Sequence, residues 1–352
     1  MISIKTVIPA LVLAALAVTA IVWQGKQPAA LDPVLPGQQS AAQPVTVNRA
    51  TYVGGDSCAG CHAGQFEQWQ GSHHDLAMQE ANAQTVLGDF NNVEFRYYDV
   101  TSLFDREGER FMVRTDGPDG RLQDYPIKYT FGVTPLQQYL IEFPGGRLQA
   151  LGLAWDSRPA DEGGQRWFHL YPDEQISHDD ELHWTGYNQN WNFMCADCHS
   201  THLQKNYAAG SRHFDTRWSE INVSCEACHG PGSRHNEWAA KDAAAQALDW
   251  TRGLMVNLDE RKGVSWQMDP LTGTAQRSTP RSGTTEIQVC AQCHARRSAI
   301  ASDHVPGHAF MDAYRPALLA ERLYYPDGQI KDEVYVYGSF IQSKMFHSGV
   351  TC

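Results

Sequence analysis

The N-terminal part of the chain is a long apolar segment followed by a polar one. An uncharged, largely apolar run extends from Thr6 to Trp23, directly after Lys5. A helix of that length spans about 27 Å, close to the thickness of the hydrocarbon core of a bilayer. Residues 1–26 are therefore predicted to be a signal anchor, with a cleaved signal peptide as the alternative. Residues 27–50 are rich in Pro, Ala, Gln and Val and are predicted to be an extended linker.

A pattern with period two occupies residues 85–172. Apolar and polar positions alternate in Val93-Glu-Phe-Arg-Tyr-Tyr and again in Arg110-Phe-Met-Val-Arg, and Gly- and Pro-containing turns separate such runs. This alternation predicts an inserted β-meander of about five to seven antiparallel strands. Trp155, Trp167 and His169 are expected to belong to its core. Residues 51–84 and 173–352 lack this periodicity, and short helices are predicted there.

Cysteine and histidine are concentrated in one repeated motif outside the β-rich insert. Of the 9 cysteines, eight lie in four copies of Cys-x-x-Cys-His. The copies are Cys58-Ala-Gly-Cys61-His62, Cys195-Ala-Asp-Cys198-His199, Cys225-Glu-Ala-Cys228-His229 and Cys290-Ala-Gln-Cys293-His294. With this composition chance would give roughly 0.01 such matches along the chain, so the motif carries chemistry.

The motif is the signature of covalent haem attachment. Two thiols separated by two residues can add to the two vinyl groups of haem, and the following His lies under the iron as the proximal ligand. Two alternatives explain less. Cys₄ zinc sites leave the histidine unexplained four times over, and redox disulfides of the thioredoxin type usually occur singly. The sequence therefore predicts four haem c groups, held by these eight cysteines, with His62, His199, His229 and His294 as proximal ligands.

Cys352, the ninth cysteine, ends the sequence just after His347-Ser-Gly-Val-Thr. We expect it to be the first thiol of a fifth motif in a longer protein, which would then carry at least five haems. The alternative is a true C-terminus with one free thiol.

The charge of the chain restricts its partners. Its formal net charge is −12, so phosphate backbones repel it and nucleic acid is not an expected partner. Four haems would add eight propionates and bring the charge to about −20 before the irons are counted. We therefore expect other redox proteins with basic docking surfaces as partners, and membrane attachment through the N-terminal anchor.

Eleven further histidines can supply the sixth ligands of the irons. An iron with two His ligands is saturated and only passes electrons, whereas an iron with one protein ligand can bind and transform a small molecule. The Gly230-Pro-Gly232 turn follows the third motif and directs His235 away from its own haem, towards a neighbouring one.

The motif order resembles a known family. Trp69 and Ser72-x-His74-x-x-Ala77-Met78 follow the first motif, and Val223-Ser precedes the third, which runs directly into Gly-Pro-Gly. In these features the chain is similar to the tetrahaem cytochromes of the cytochrome c-554/c-552 type. Long relatives carry further haems and often tetratricopeptide repeats, and the small members lack the β insert.

The resemblance implies crossed axial ligation. His74 would cap the haem of His229, and His235 that of His62. The haem of His294 would be capped by His308 or His347, although His347 can also serve a fifth haem. In small family members the second haem can lack a sixth protein ligand. Here that haem belongs to His199, and His183 or His202 would fill the position if it is filled.

Together these observations predict an α+β protein. Short helices and loops would surround stacked haems in residues 51–84 and 173–352, and the β domain of residues 85–172 would be inserted between them. The expected function is that of an exported multihaem cytochrome on the periplasmic side of the bacterial inner membrane, carrying electrons through bis-His haems. An oxidoreductase acting on a small nitrogen or sulfur compound at an open haem of His199 is the alternative, and an electron carrier is favoured over an enzyme.

Overall fold

A computed structural model describes residues 49–302 and 304–352. The predicted signal segment of residues 1–26 and the linker up to residue 48 lie outside the described residues. Ala50–Cys352 forms one compact unit. No helix among the described residues is long and apolar enough to cross a membrane.

The insert is a large antiparallel sheet. Its strands are β1 (Met78–Glu80), β2 (Val93–Tyr97), β3 (Val100–Glu107), β4 (Arg110–Asp116), β5 (Leu122–Phe131), β6 (Leu136–Phe143), β7 (Arg147–Ala150), β8 (Leu153–Asp156) and β9 (Arg166–His169). Neighbours follow the order β2-β3-β4-β5-β6-β8-β9, with β1 on β5 and β7 on β6. The mixed helix-and-strand class and the antiparallel meander are thereby confirmed.

The sheet has nine strands rather than five to seven. One cause is that the apolar run of residues 147–155 forms two strands separated by Leu151 and Gly152, and β7 and β8 pair with opposite ends of β6. Another cause is that β1, which belongs to residues 51–84, joins the edge of this sheet, with Met78 opposite Phe131 of β5. A pairing between residues so far apart in sequence leaves no local signal.

One face of the sheet covers an aromatic core. The alternation in β3 and β4 places Phe104, Phe111 and Val113 inside. Trp167 stacks on Phe104 with ring centroids 3.6 Å apart, and Trp155 is also buried there, as expected. His169, partly buried, stacks on Tyr97 instead, at 3.6 Å. Fully burying one such aromatic side chain contributes about 1.5–3 kcal/mol, so this cluster dominates the stability of the insert.

Outside the sheet the elements are short. The helices are α1 (Asp56–Ala59), α2 (Ala63–Trp69), α3 (Trp191–Met194), α4 (Ala196–His199), α5 (Glu226–His229), α6 (Ser233–Ala239), α7 (Ala243–Ala247), α8 (Thr285–His294), α9 (Phe310–Ala313), α10 (Tyr337–Phe340) and α11 (Lys344–His347). Three hairpins pair β10 (Tyr207–Ala208) with β11 (His213–Phe214), β12 (Trp266–Asp269) with β13 (Thr274–Arg277), and β14 (Arg297–Ala299) with β15 (Tyr314–Pro316).

A second apolar cluster joins the sheet to the second Cys-x-x-Cys-His motif. Met78, Phe131 and Leu148 from the sheet pack with Trp191 and Ala196 of α3 and α4. Met78 is fully buried in this cluster. The insert therefore forms one wall of the second motif.

Candidate haem sites

Each of the four motifs folds into a helical turn that places its thiols together. The amide N–H of His62 donates to the carbonyl of Cys58 at 2.9 Å, and that of His229 donates to the carbonyl of Cys225 at 3.0 Å. In the second and fourth motifs, α4 and α8 end at His199 and His294. The nine cysteines are free thiols, as haem attachment requires.

Carbonyl groups fix the orientation of three imidazoles. Nδ1 of His199 lies 2.9 Å from the carbonyl oxygen of Ala77, Nδ1 of His229 lies 2.7 Å from that of Val256, and Nδ1 of His235 lies 2.7 Å from that of Arg252. A carbonyl only accepts hydrogen bonds, so Nδ1 carries the proton and Nε2 keeps its lone pair. This is the arrangement that metal-ligating histidines show, and the donor set therefore fits haem iron.

The rings of His62 and His235 are close neighbours, at a separation that suits two ligands of one iron. Their ring centroids are 5.9 Å apart and their planes differ by 27°. A metal–imidazole nitrogen bond is about 2.0–2.1 Å, so two imidazoles on opposite sides of one ion have centroids roughly 6 Å apart. The structure thus brings together the two residues that the resemblance pairs.

His74 lies beside His294, with ring centroids 6.1 Å apart and planes at 66°. Burial lowers the pKa of His74, and the charges of His294 and His73 lower it further. The segment after α2 also lies against the residues that precede the third motif, because the amide of Val223 donates to the carbonyl of His74 at 3.1 Å. The pairing of His74 with His229, and of His308 or His347 with His294, therefore stays a prediction.

His199 has an aromatic neighbour instead of a second imidazole. The edge of Phe131 lies against its ring, with centroids 5.6 Å apart. Burial lowers the pKa of His199, although the Ala77 carbonyl opposes this shift. Within the described ranges, no histidine ring is in contact with that of His199 or His229.

The two proposed substitutes for a ligand at His199 are engaged elsewhere. His183 is buried in the insert, with Nε2 3.1 Å from Oδ2 of Asp116 and Nδ1 2.8 Å from Oγ1 of Thr185. His202 stacks on Tyr52 at 3.8 Å, and its Nδ1 lies 2.8 Å from Oγ of Ser219. Both geometries favour structural roles over iron coordination.

Among the described residues, neither the His308 ring nor the His347 ring is in contact with a proximal histidine ring. The amide of His308 closes a turn onto the carbonyl of Val305, and His347 ends α11 against Phe346, 5.6 Å away. Their roles as axial ligands stay predictions.

The motifs meet in pairs. The neighbouring Cys58 thiol lowers the pKa of Cys225 to about 7. Sγ of Cys198 lies 3.8 Å from the carbonyl oxygen of Cys293, and Sγ of Cys293 lies 3.9 Å from that of Asp197. The neighbouring Cys290 thiol lowers the pKa of Cys352 to about 7. The first motif thus adjoins the third, the second adjoins the fourth, and Cys352 adjoins the fourth.

Sequence reasoning missed the groups that position the motifs from a distance. Phe131 and the Ala77 carbonyl at His199, and the buried Glu226 inside the third motif, carry no sequence signal of their own. They act through contacts with residues far away along the chain, so only the fold reveals them.

Comparison with known proteins agrees with these sites. The family described as cytochrome c554 and c-prime matches residues 57–94 and 167–230, which include the first three motifs, His74 and most of the first haem segment. The match omits most of the β insert and ends before the fourth motif. It confirms the resemblance to multihaem cytochromes c of this type and supports a haem-based electron-transfer cytochrome.

No curated protein matches the chain. Among solved structures, it is similar to the undecaheme cytochrome from the S-layer of Carboxydothermus ferrireducens, with 16% sequence identity and a TM-score of 0.33. That similarity covers 70% of this chain, whereas the chain spans 25% of the solved protein.

Proposed function

We propose that the protein is an exported multihaem c-type cytochrome, which carries electrons between redox partners through haems with two histidine ligands. The observation that carries the proposal is the close pair His62 and His235, whose ring centroids are 5.9 Å apart, near the separation expected for two ligands of one iron. His74 and His294 provide a second such pair. Bound haem would supply a one-electron iron couple, and these imidazoles would hold it low-spin.

Four haem groups are proposed for the motifs present, with a fifth begun by Cys352. The Cys290 thiol acts on the pKa of Cys352 as the Cys58 thiol acts on that of Cys225, which supports the fifth site. Because neighbouring attachment sites touch, the protein would hold its haems in a stacked series. The periplasmic location, the membrane anchor and the basic partners are proposed on the sequence alone.

The test is the covalent haem content and spin state of protein expressed with a competent haem-maturation system. We expect an intact mass above that of the polypeptide by four haems for this chain, and a mainly low-spin spectrum. Replacing His235 by Ala should convert one haem to high spin, whereas the same change at the exposed His213 should not. A mass equal to that of the bare polypeptide would refute the proposal.

A second candidate function is catalysis at the haem of His199. It is favoured by the Phe131 edge beside His199 and by the engagement of His183 and His202 elsewhere. The residues would then leave one axial position free for a small nitrogen or sulfur compound. Nitric oxide binding to a high-spin haem, lost when His199 is replaced by Met, would support this function. Purely low-spin spectra that nitric oxide leaves unchanged would exclude it.

A further inference from the structure

A buried carboxylate in the third motif holds the residues that precede the first motif. Glu226, between the two cysteines of the third motif, is only 2% exposed. Its Oε1 accepts hydrogen bonds from the amides of Val53, at 3.0 Å, and Gly232, at 2.7 Å. Its Oε2 accepts from the amide of Gly54, at 2.8 Å. Both oxygens therefore act as acceptors, which is the bonding pattern of the ionised carboxylate.

A second carboxylate lies on the same side of the paired motifs. Oε1 of Glu220 accepts from the amide of Gly55 at 2.9 Å, and its Oε2 is buried without a hydrogen-bond partner in the described residues. Neither Glu220 nor Glu226 forms a salt bridge within residues 49–302 and 304–352. The negative charge of Glu226 acts on the neighbouring Tyr52 hydroxyl. Burial and that charge together raise the pKa of Tyr52 to about 12.

The pair formed by the second and fourth motifs has the opposite electrostatics. Asp197, inside the second motif, lies 3.2 Å from Nη1 of Arg297 and 3.5 Å from Nζ of Lys205. The Arg297 side chain is 9% exposed, and its Nη2 lies 3.7 Å from Sγ of Cys198. Two cations thus face one carboxylate there. Glu286, the other buried carboxylate near the fourth motif, has Nε of Arg261 at 3.9 Å.

Fixed charges of this kind change the ease of reduction. Adding an electron to an iron adds negative charge, which a nearby buried carboxylate opposes and a nearby buried guanidinium favours. The effect is strong where the charges are shielded from water, as Glu226 and Arg297 are.

We propose that Glu226 and Glu220 hold the haems of the first and third motifs at lower reduction potential than the haem of the second motif, which Arg297 raises. This inference rests on the proposed electron-carrier function. It gives the haem series a direction, because an electron delivered to the haem of the first or third motif is more stable on the haem of the second motif. Glu226 and Glu220 act here as positioning and charge-setting residues, without touching the reacting partners.

The experiment is a spectropotentiometric titration of the full haem-loaded chain and its variants. Glu226→Gln keeps the shape of the side chain and removes its charge, and it should raise the lowest reduction potentials in the titration. We expect about a tenfold change in their one-electron equilibrium, which is about 59 mV. Arg297→Gln should lower a different reduction potential, that of the haem of the second motif. The matched control is Glu237→Gln, the same change at an exposed position in α6, which should leave every potential in place.

A purely structural role for Glu226 predicts a different result. In that case Glu226→Asp, which keeps the charge and shortens the side chain, would alter axial ligation or haem content. If the charge is what matters, the reduction potentials of Glu226→Asp should stay close to those of the parent protein. If Glu226→Gln fails to mature, Glu220→Gln decides the question, because it removes one charge while the glutamine Oε1 can still accept from the Gly55 amide. Unchanged potentials in Glu220→Gln, or in a haem-loaded Glu226→Gln, overturn this inference and leave the proposed function standing. Protein without covalent haem would refute the proposed function itself.

Discussion

The imidazole planes of single histidine residues distinguish the two proposed axial pairs. Near-parallel planes on a low-spin ferric iron give a rhombic electron paramagnetic resonance signal, and strongly crossed planes give a signal with a large maximum g value. The planes of His62 and His235 differ by 27°, whereas those of His74 and His294 differ by 66°. The two pairs should therefore give different signals in one spectrum.

His74→Ala is expected to abolish the large-g signal, keep the rhombic one and convert one haem to high spin. The reason is that the His74 ring lies beside that of His294, while no ring contact joins it to His62 or His235 among the described residues. The control is His73→Ala, the same change at the adjacent residue, which should retain both signals. Loss of the rhombic signal in His74→Ala, or an unaltered spectrum, would contradict the assignment.

Among individual residues, the four Cys-x-x-Cys-His motifs could be recognised from the sequence, whereas the closeness of His74 to His294 could not. Cys-x-x-Cys-His confines its chemistry to five consecutive residues, so spacing alone reveals it. The contact between His74 and His294 instead depends on how two distant segments pack around cofactors. The resemblance to a family supplied His235 for His62, whose ring centroids lie 5.9 Å apart, whereas its pairing of His74 with His229 stays a prediction.

The junction between the sheet and the second motif depends on one buried amide. Oδ1 of Asn192 accepts from the amide of Leu148 at 2.8 Å, and its Nδ2 donates to Oγ1 of Thr216 at 2.9 Å. Asn192→Ala would leave buried partners unsatisfied, at about 1–3 kcal/mol. We expect the free energy of unfolding to fall by that amount in denaturant titrations. Asn188→Ala, the same change at an exposed position, should alter it by less than about 0.5 kcal/mol.

Strand β9 makes the stability of the insert dependent on pH. Burial lowers the pKa of His169, at the end of β9, from 6.5 to about 4. The unfolded chain therefore binds more protons between these values, and stability should fall as the pH falls from about 6.5 towards 4. His169→Phe keeps a ring against Tyr97 and removes this titration. Its denaturant midpoint should change less between pH 7.5 and pH 4.5 than the parent's, and an equal change would show that His169 does not contribute.

The elements as a whole were predictable where their signal was local. Period two revealed the meander, because alternation within each strand follows from its one buried face. The addition of β1, and the packing of the sheet on Trp191 and Ala196, were not predictable, because they join segments separated by the entire insert. The short helices of the haem regions have little apolar periodicity, since haem faces would supply much of their core.

At the scale of the whole molecule, net charge should govern encounters with redox partners. The chain carries −12, and four haems bring it to about −20 through their propionates. Such a surface attracts basic partners over distances that salt shortens, from about 30 Å at 0.01 M ionic strength to about 8 Å at 0.15 M. Steering of this kind raises association rates by about 10- to 1,000-fold.

We therefore expect the second-order rate of electron transfer to a small basic cytochrome to fall at least tenfold between 0.01 and 0.15 M ionic strength, in stopped-flow experiments. The matched comparison is an acidic acceptor of similar potential, for which the rate should rise with salt because screening reduces repulsion. Equal salt dependence for both acceptors would contradict a docking role for the net charge. Glu237→Gln removes one charge of many from the surface and should alter the salt dependence of the rate only slightly. Glu226→Gln removes a buried charge near the haems, so it should change mainly the reduction potentials and with them the driving force for electron transfer.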